Sequence, residues 1–169
     1  MNRTRSEWNP GHSGDGSDLA GAAGVILLVD DNPDDRDLTE RALRQNGIAN
    51  PIIVAHDGAE ALDYLFGSGK YAGRNVALTP QLILLDLKLP RMDGLQVLER
   101  IHADERMREV PVVVLTSSDE ERDLARSHEL GANTYLRKSV DFIQFSKAVG
   151  ELAPRWLLSK DLSRSRGNT

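Results

Sequence analysis

The sequence predicts an α/β fold: a parallel sheet of five strands with helices packed on both faces. Three observations carry that prediction. Five short apolar runs recur along the chain, with stretches of helical periodicity between them. The strongest runs are continuously apolar, as expected of strands covered on both sides. Carboxylate, hydroxyl and ammonium side chains follow several of the runs directly, at the sheet edge where open α/β folds bind ligands.

Val25-Ile26-Leu27-Leu28-Val29 is the first strand. Pro33 then suits the first turn of a helix, whose apolar stripe of Leu38, Ala42 and Leu43 runs to a stop at Asn46-Gly47. Pro51 to Ala55 is the second strand, followed by a helix from about Ala59 to Phe66. Gly67 to Pro80, with Gly67, Gly69 and Gly73, reads as a long loop without recognisable chemistry. Leu82 to Leu85 is the third strand and ends at Asp86; a helix from about Leu95 to Ala103 comes after Gly94. Val110 to Leu115 is the fourth strand, and Asp119 to Leu130 the fourth helix, with Gly131 as its stop. Asn133 to Leu136 is a short fifth strand. The last helix carries Phe142, Phe145, Val149, Leu152 and Trp156 at alternating spacings of three and four, one apolar stripe.

Composition narrows the function. The 169 residues, 40% hydrophobic and 28% charged, suit one globular domain. A net charge of −5 argues against nucleic acid or an anionic membrane as partner. With no cysteine, disulfides, thiolate metal sites and cysteine nucleophiles are excluded. No apolar run reaches the length of a membrane span and no secretory signal pattern is present, so a cytoplasmic protein is expected. Residues 1–23, rich in Gly, Ser, Asp and Asn, read as a flexible tail; 24–158 form the domain, and 159–169 a second polar tail, too short for an output domain.

The chemistry gathers at the strand ends. Asp30-Asp31 follows the first strand, Asp86 the third, Thr116-Ser117 the fourth, and Lys138 lies shortly after the fifth. Each alone is more often a turn former, a helix cap or a solvated charge. Together they place three carboxylates, a hydroxyl and an ammonium on one edge. Carboxylates packed closely repel one another, and such a cluster persists mainly when a cation neutralises it. Oxygen ligands without His or Cys suit a hard ion, and Mg²⁺ is the natural candidate. His12, His56, His102 and His128 share no metal-ligand spacing.

Four motifs in order, Val29-Asp30-Asp31-Asn32-Pro33, Leu85-Asp86-Leu87-Lys88-Leu89-Pro90-Arg91-Met92-Asp93-Gly94, Val114-Leu115-Thr116-Ser117 and Leu136-Arg137-Lys138, resemble the receiver domains of bacterial two-component systems. The resemblance spans about Val25 to Leu158 and implies the doubly wound, flavodoxin-like strand order 2-1-3-4-5. The Gly-rich insert ending in Thr79-Pro80-Gln81-Leu82, the phrase Leu130-Gly131-Ala132-Asn133 and the end at Trp156-Leu157-Leu158 are most similar to the small stand-alone regulators paired with bacterial and cyanobacterial phytochromes.

The resemblance implies a phosphoacceptor served by a sensor histidine kinase, of phytochrome type, with self-catalysed phosphotransfer and autodephosphorylation at most. Asp86 is then the phosphorylated residue. Mg²⁺ is held by Asp31, Asp86 and the backbone carbonyl of Lys88, with Asp30 acting through water. Lys138 meets one phosphoryl oxygen and the Thr116 hydroxyl another, and Thr116 and Tyr135 form the switch, the ring turning inward as the hydroxyl moves. The bland alternative for Tyr135 is a surface aromatic. Lys88 and Ser118, two residues past Asp86 and Thr116, govern how water reaches the acyl phosphate, with a sign the sequence leaves open.

One departure stands out: Ser139 follows Lys138 where the family usually has Pro. A cis bond before a non-proline residue costs about 2.5–4 kcal/mol, so a trans Lys138–Ser139 bond is expected. Without an output domain, the output is an interaction, with an unknown downstream protein or as a homodimer through the fourth helix to the last helix. The last helix's stripe serves equally as an interhelical seam or as a contact to the sheet, with Trp156 the residue most expected at an interface. Two other classes fit less well. An aspartyl-phosphate hydrolase usually needs an acidic residue where Lys88 stands, and a flavin or nucleotide binder needs a Gly-rich cradle where the chain has Asp30-Asp31-Asn32-Pro33.

Overall fold

The structure, a computed structural model, describes residues 24–117, 121–138, 141–152 and 155. Five strands form one parallel sheet: β1 (Ile26–Val29), β2 (Ile52–Ala55), β3 (Leu82–Asp86), β4 (Val112–Thr116) and β5 (Thr134–Arg137). Their order is 2-1-3-4-5, as the receiver resemblance implies.

The continuous apolar runs of β1, β3 and β4 are split between two cores by the two-residue period of a strand. Ile26, Leu28, Leu82, Leu84, Val113 and Leu115 face one side. There they meet Ala42 and Leu43 of α1 (Pro33–Gln45) together with Phe145 and Val149 of α5 (residues 142–152). Leu27, Val29, Ile83, Leu85, Val112 and Val114 face the other side. They pack against α2 (Gly58–Phe66) and α3 (Gly94–Ala103). The remaining helix, α4 (Glu121–Glu129), follows β4.

The stripe on α5 is thereby resolved: Phe142, Phe145, Val149 and Leu152 all pack on the sheet. Its spacing serves the core, and the helix presents Ile143 outward instead, 77% exposed. Trp156 lies outside the described residues, as do both tails, Ser118 and the Lys138–Ser139 bond.

Local signals set the helix starts. Asn32 caps α1 by accepting from the backbone N–H groups of Asp34 at 2.8 Å and Asp35 at 3.1 Å, and Pro33 fills the first turn. Asp93 and Gln96 form a reciprocal capping box on α3. Two features add to the sequence reading. Glu105–Arg108 forms a single helical turn that buries Met107, and Gly69–Tyr71 forms a 3-10 turn inside the long loop. Arg74 clamps that loop. Its Nε donates to the Tyr64 carbonyl at 2.7 Å, Nη1 donates to the Leu78 carbonyl at 3.0 Å, and its guanidinium lies 4.0 Å from the Tyr64 ring centre.

Candidate functional site

Sheet register decides which polar residues meet. Val29 of β1 lies opposite Leu85 of β3, so the next residues, Asp30 and Asp86, leave the sheet side by side. Asp86 lies opposite Leu115, which brings Thr116 one step beyond it. Thr116 lies opposite Arg137, and Lys138 is next in the chain. The ladder continues one bond further, the Lys138 N–H donating to the Thr116 carbonyl at 2.8 Å.

The Lys138 ammonium is the hub. Its Nζ lies 2.9 Å from Oδ2 of Asp30, of Asp35 and of Asp86. The other Asp86 oxygen, Oδ1, accepts from the Lys88 N–H at 2.9 Å. Asp30 is fully buried, and its Oδ1 accepts from the Asn32 N–H at 3.0 Å. Its Oδ2 meets Lys138 as an ion pair but makes no aligned hydrogen bond.

A tight β3–α3 turn supports Asp86. The Gly94 N–H donates to the Leu87 carbonyl at 2.9 Å. A Cβ on Gly94 would fall 2.5 Å from the Asp86 carbonyl oxygen and 2.6 Å from the Leu87 Cα, so the approach of these two segments requires glycine.

Burial pushes the Asp30 carboxyl up from its ordinary value, and its contacts with Lys138 and Asn32 only partly offset this. Burial alone would pull the Lys138 ammonium down. Its hydrogen bonds with Asp86 and Asp35 and its close ion pair with Asp30 outweigh that and raise it well above the ordinary lysine value. The ammonium is therefore charged at neutral pH.

Carboxylate oxygens of Asp30, Asp31 and Asp86 all lie within 4.8 Å of one another. Asp35 joins Asp30 and Asp86 on the Lys138 ammonium, so the cluster holds four carboxyl groups against one ammonium. The donors are oxygen only, and one buried oxygen, Asp30 Oδ2, has no hydrogen bond. That set fits a hard divalent cation.

The structure brings together Asp30, Asp31, Asp86, Thr116 and Lys138, five residues that the sequence singles out. Thr116 is buried, and Tyr135 is 46% exposed. Tyr135 lies opposite Val114, two residues before Thr116 and on the same face of β4. Sequence reasoning missed Asp35. Its place in the first turn of the helix that starts directly after Asp30-Asp31 was the available signal, because that turn begins at the same sheet edge.

The response regulator receiver domain model matches residues 26–150. The chain belongs to the response-regulator receiver family. Response regulator Rcp1 from Synechocystis sp. is 38% identical over 141 residues, which cover 83% of this chain and 94% of Rcp1. Its Mn²⁺-bound crystal structure aligns with a TM-score of 0.71, at 39% identity, over 79% of this chain and 94% of that one. The phosphorylated cyanobacterial phytochrome response regulator RcpA aligns with a TM-score of 0.73 at 38% identity, covering 80% of this chain and 95% of that one. The bacteriophytochrome response regulator AtBRR reaches 50% identity at a TM-score of 0.65, over 78% of this chain and 93% of that one. The receiver resemblance of the four motifs, and the similarity of the chain to the phytochrome-associated regulators, are thus both borne out. In the described residues no helix is long and apolar enough to cross a membrane.

Proposed function

We propose that this receiver takes a phosphoryl group on Asp86 from the phosphohistidine of a sensor histidine kinase of phytochrome type. The observation that carries this reading is the Asp86 carboxylate itself, buried at a strand end, with one oxygen on the Lys88 amide and the other on the Lys138 ammonium. An Asp86 oxygen attacks phosphorus, the P–N bond breaks, and its electron pair returns to the kinase imidazole, which takes up a proton. An acyl phosphate is left on Asp86.

Lys138 neutralises charge on one phosphoryl oxygen, and Thr116 donates its hydroxyl to another. Asp31, Asp86 and the Lys88 carbonyl would hold Mg²⁺, with Asp30 acting through water. When bound, the ion supplies charge stabilisation on the transferring group. Tyr135, on the same sheet face as Thr116, turns inward as Thr116 engages the phosphoryl group.

The chain acts as a switch and turns over no phosphomonoester, since Lys88 stands where a hydrolase needs an acid. We read it as a cytoplasmic protein whose domain runs from residue 24 to 158 between polar tails, 1–23 and 159–169. Its output is docking to a downstream protein and homodimerisation through α4 to α5. Tyr135 and Ile143, the large apolar side chains most exposed among the described residues, lie on the β5–α5 part of that surface.

Incubation with a phytochrome-type kinase, labelled ATP and Mg²⁺ tests the acceptor. Label moves to the wild type and not to Asp86→Asn; label on both variants overturns the assignment. Analytical ultracentrifugation with beryllofluoride tests the dimer, which Ile143→Glu should weaken at least tenfold. An unchanged association constant excludes this face.

A further inference from the structure

We propose that Asp35 is a positioning residue for Lys138: a carboxylate on α1 that keeps the ammonium aimed at Asp86 through the phosphoryl-transfer cycle. This rests on the acceptor reading of Asp86.

Three oxygens converge on Nζ, all at 2.9 Å and each from a different element: Asp30 after β1, Asp35 on α1 and Asp86 at the end of β3. They are not equivalent. Only Asp35 and Asp86 meet the ammonium as aligned hydrogen bonds, while Asp30 Oδ2 is left with an ion-pair contact alone. Phosphorylation converts the Asp86 carboxylate into an acyl phosphate and so alters one of the two aligned bonds. The bond to Asp35 is the one that the chemistry leaves untouched.

Lysine is a flexible four-carbon stem, and its aim is set by what holds its tip. From Asp35 the hold comes through a fixed backbone, because Asn32 accepts from the Asp35 N–H at 3.1 Å and locks the first turn of α1. Beside this contact lies a cavity of about 20 Å³, lined by Asp35, Leu38, Thr39, Lys138 and Phe145. That is room for about one water, so removal of the Asp35 carboxylate admits solvent to the ammonium and ends the restraint.

An ordinary surface ion pair is exposed and contributes little. Here the Asp35 side chain is 33% exposed, but the lysine side chain it holds is only 13% exposed and shares its ammonium with the completely buried Asp30, so loss of Asp35 acts on a mostly enclosed group.

Asp35→Ala, Asp35→Asn and Asp34→Ala, all in the full chain, test this. Asp34 shares the first turn of α1 and is exposed, so its variant reports any general effect of removing a first-turn carboxylate. With a small acyl phosphate as donor and Mg²⁺ present, Asp35→Ala should label at least fivefold more slowly than wild type. Asp35→Asn keeps an acceptor oxygen and should recover to within twofold, and Asp34→Ala should not differ from wild type.

A second readout needs no phosphorylation. In ¹H–¹⁵N spectra the Lys138 ammonium protons, protected in wild type and in Asp35→Asn, should exchange too fast to observe in Asp35→Ala. If Asp35→Ala labels at the wild-type rate the proposal fails, and if both Asp35 variants label faster, Asp35 only repels the incoming phosphate and the proposal fails likewise. Persistence of the ammonium signal in Asp35→Ala overturns it equally. Absence of label on wild-type Asp86 would instead overturn the acceptor reading, and the spectra would still decide whether Asp35 holds Lys138.

Discussion

Replacing Lys138 by Met removes the one ammonium that contacts Asp30, Asp35 and Asp86 and leaves a chain of similar length and apolar character. Each lost contact, at 2.9 Å, is worth about 6 kcal/mol of attraction at an effective dielectric constant near 20, before desolvation is subtracted. The carboxylates of Asp30, Asp31 and Asp86, within 4.8 Å of one another, repel by at least about 3 kcal/mol per pair on the same scale. In the wild type the attraction and the cost of burying the charges largely offset each other, whereas the variant keeps the repulsion and loses the attraction. Removing one partner of a buried ion pair typically costs about 3–5 kcal/mol, and that is the loss expected in Mg²⁺-free buffer at pH 7. Millimolar Mg²⁺ should restore a large part of it, because a bound ion stabilises the folded state by mass action and replaces the missing positive charge. The double variant Lys138→Met/Asp86→Asn should lie between the single variant and wild type. Urea unfolding followed by circular dichroism measures all three. A loss below about 1 kcal/mol for Lys138→Met, or a loss that Mg²⁺ leaves unchanged, would refute the view that this lysine compensates an acidic, ion-binding cluster.

Further outcomes follow from the same geometry. Lys70 and His56 hold the Glu60 carboxyl down to about 2 against the opposing effect of burial, so its stabilisation is complete above its unfolded value of 4.5 and is lost as pH falls from there through 2. Glu60→Gln should therefore cost about 1 kcal/mol at pH 7, discounted for its exposed partners, and flatten the acid limb of a stability–pH curve. Gly94→Ala should destabilise by about 2–3 kcal/mol in urea unfolding and slow phosphorylation, because its Cβ collides with the backbone that carries Asp86. Asn32→Ala should cost about 1 kcal/mol in thermal unfolding, through loss of the cap on the Asp34 and Asp35 amides.

Much of this architecture was legible because parallel strands covered on both faces leave a strong trace. Val25 to Val29 and Leu82 to Leu85 admit no amphipathic alternative, and their carboxyl ends carry Asp30 and Asp86 directly. The Lys138 ammonium was legible as a member of the site, but its three-way sharing was not, since that depends on register. Asp35 escaped because a first-turn aspartate already has a sufficient local reason, the helix dipole. Met107 and Arg74 escaped for a related reason: a single buried turn and a clamp onto carbonyl oxygens leave no periodic pattern. The stripe on α5 was visible, but what it packs against was not, because core and dimer seams share the same spacing.

The proposed function turns on one carboxylate, that of Asp86, becoming the acyl phosphate. Borohydride reduction of the freshly phosphorylated protein converts such a residue to homoserine, and peptide mass spectrometry then locates it. Homoserine is expected at position 86 and nowhere else. Homoserine at 30, 31 or 35, or a phosphoryl group found on histidine, would contradict it.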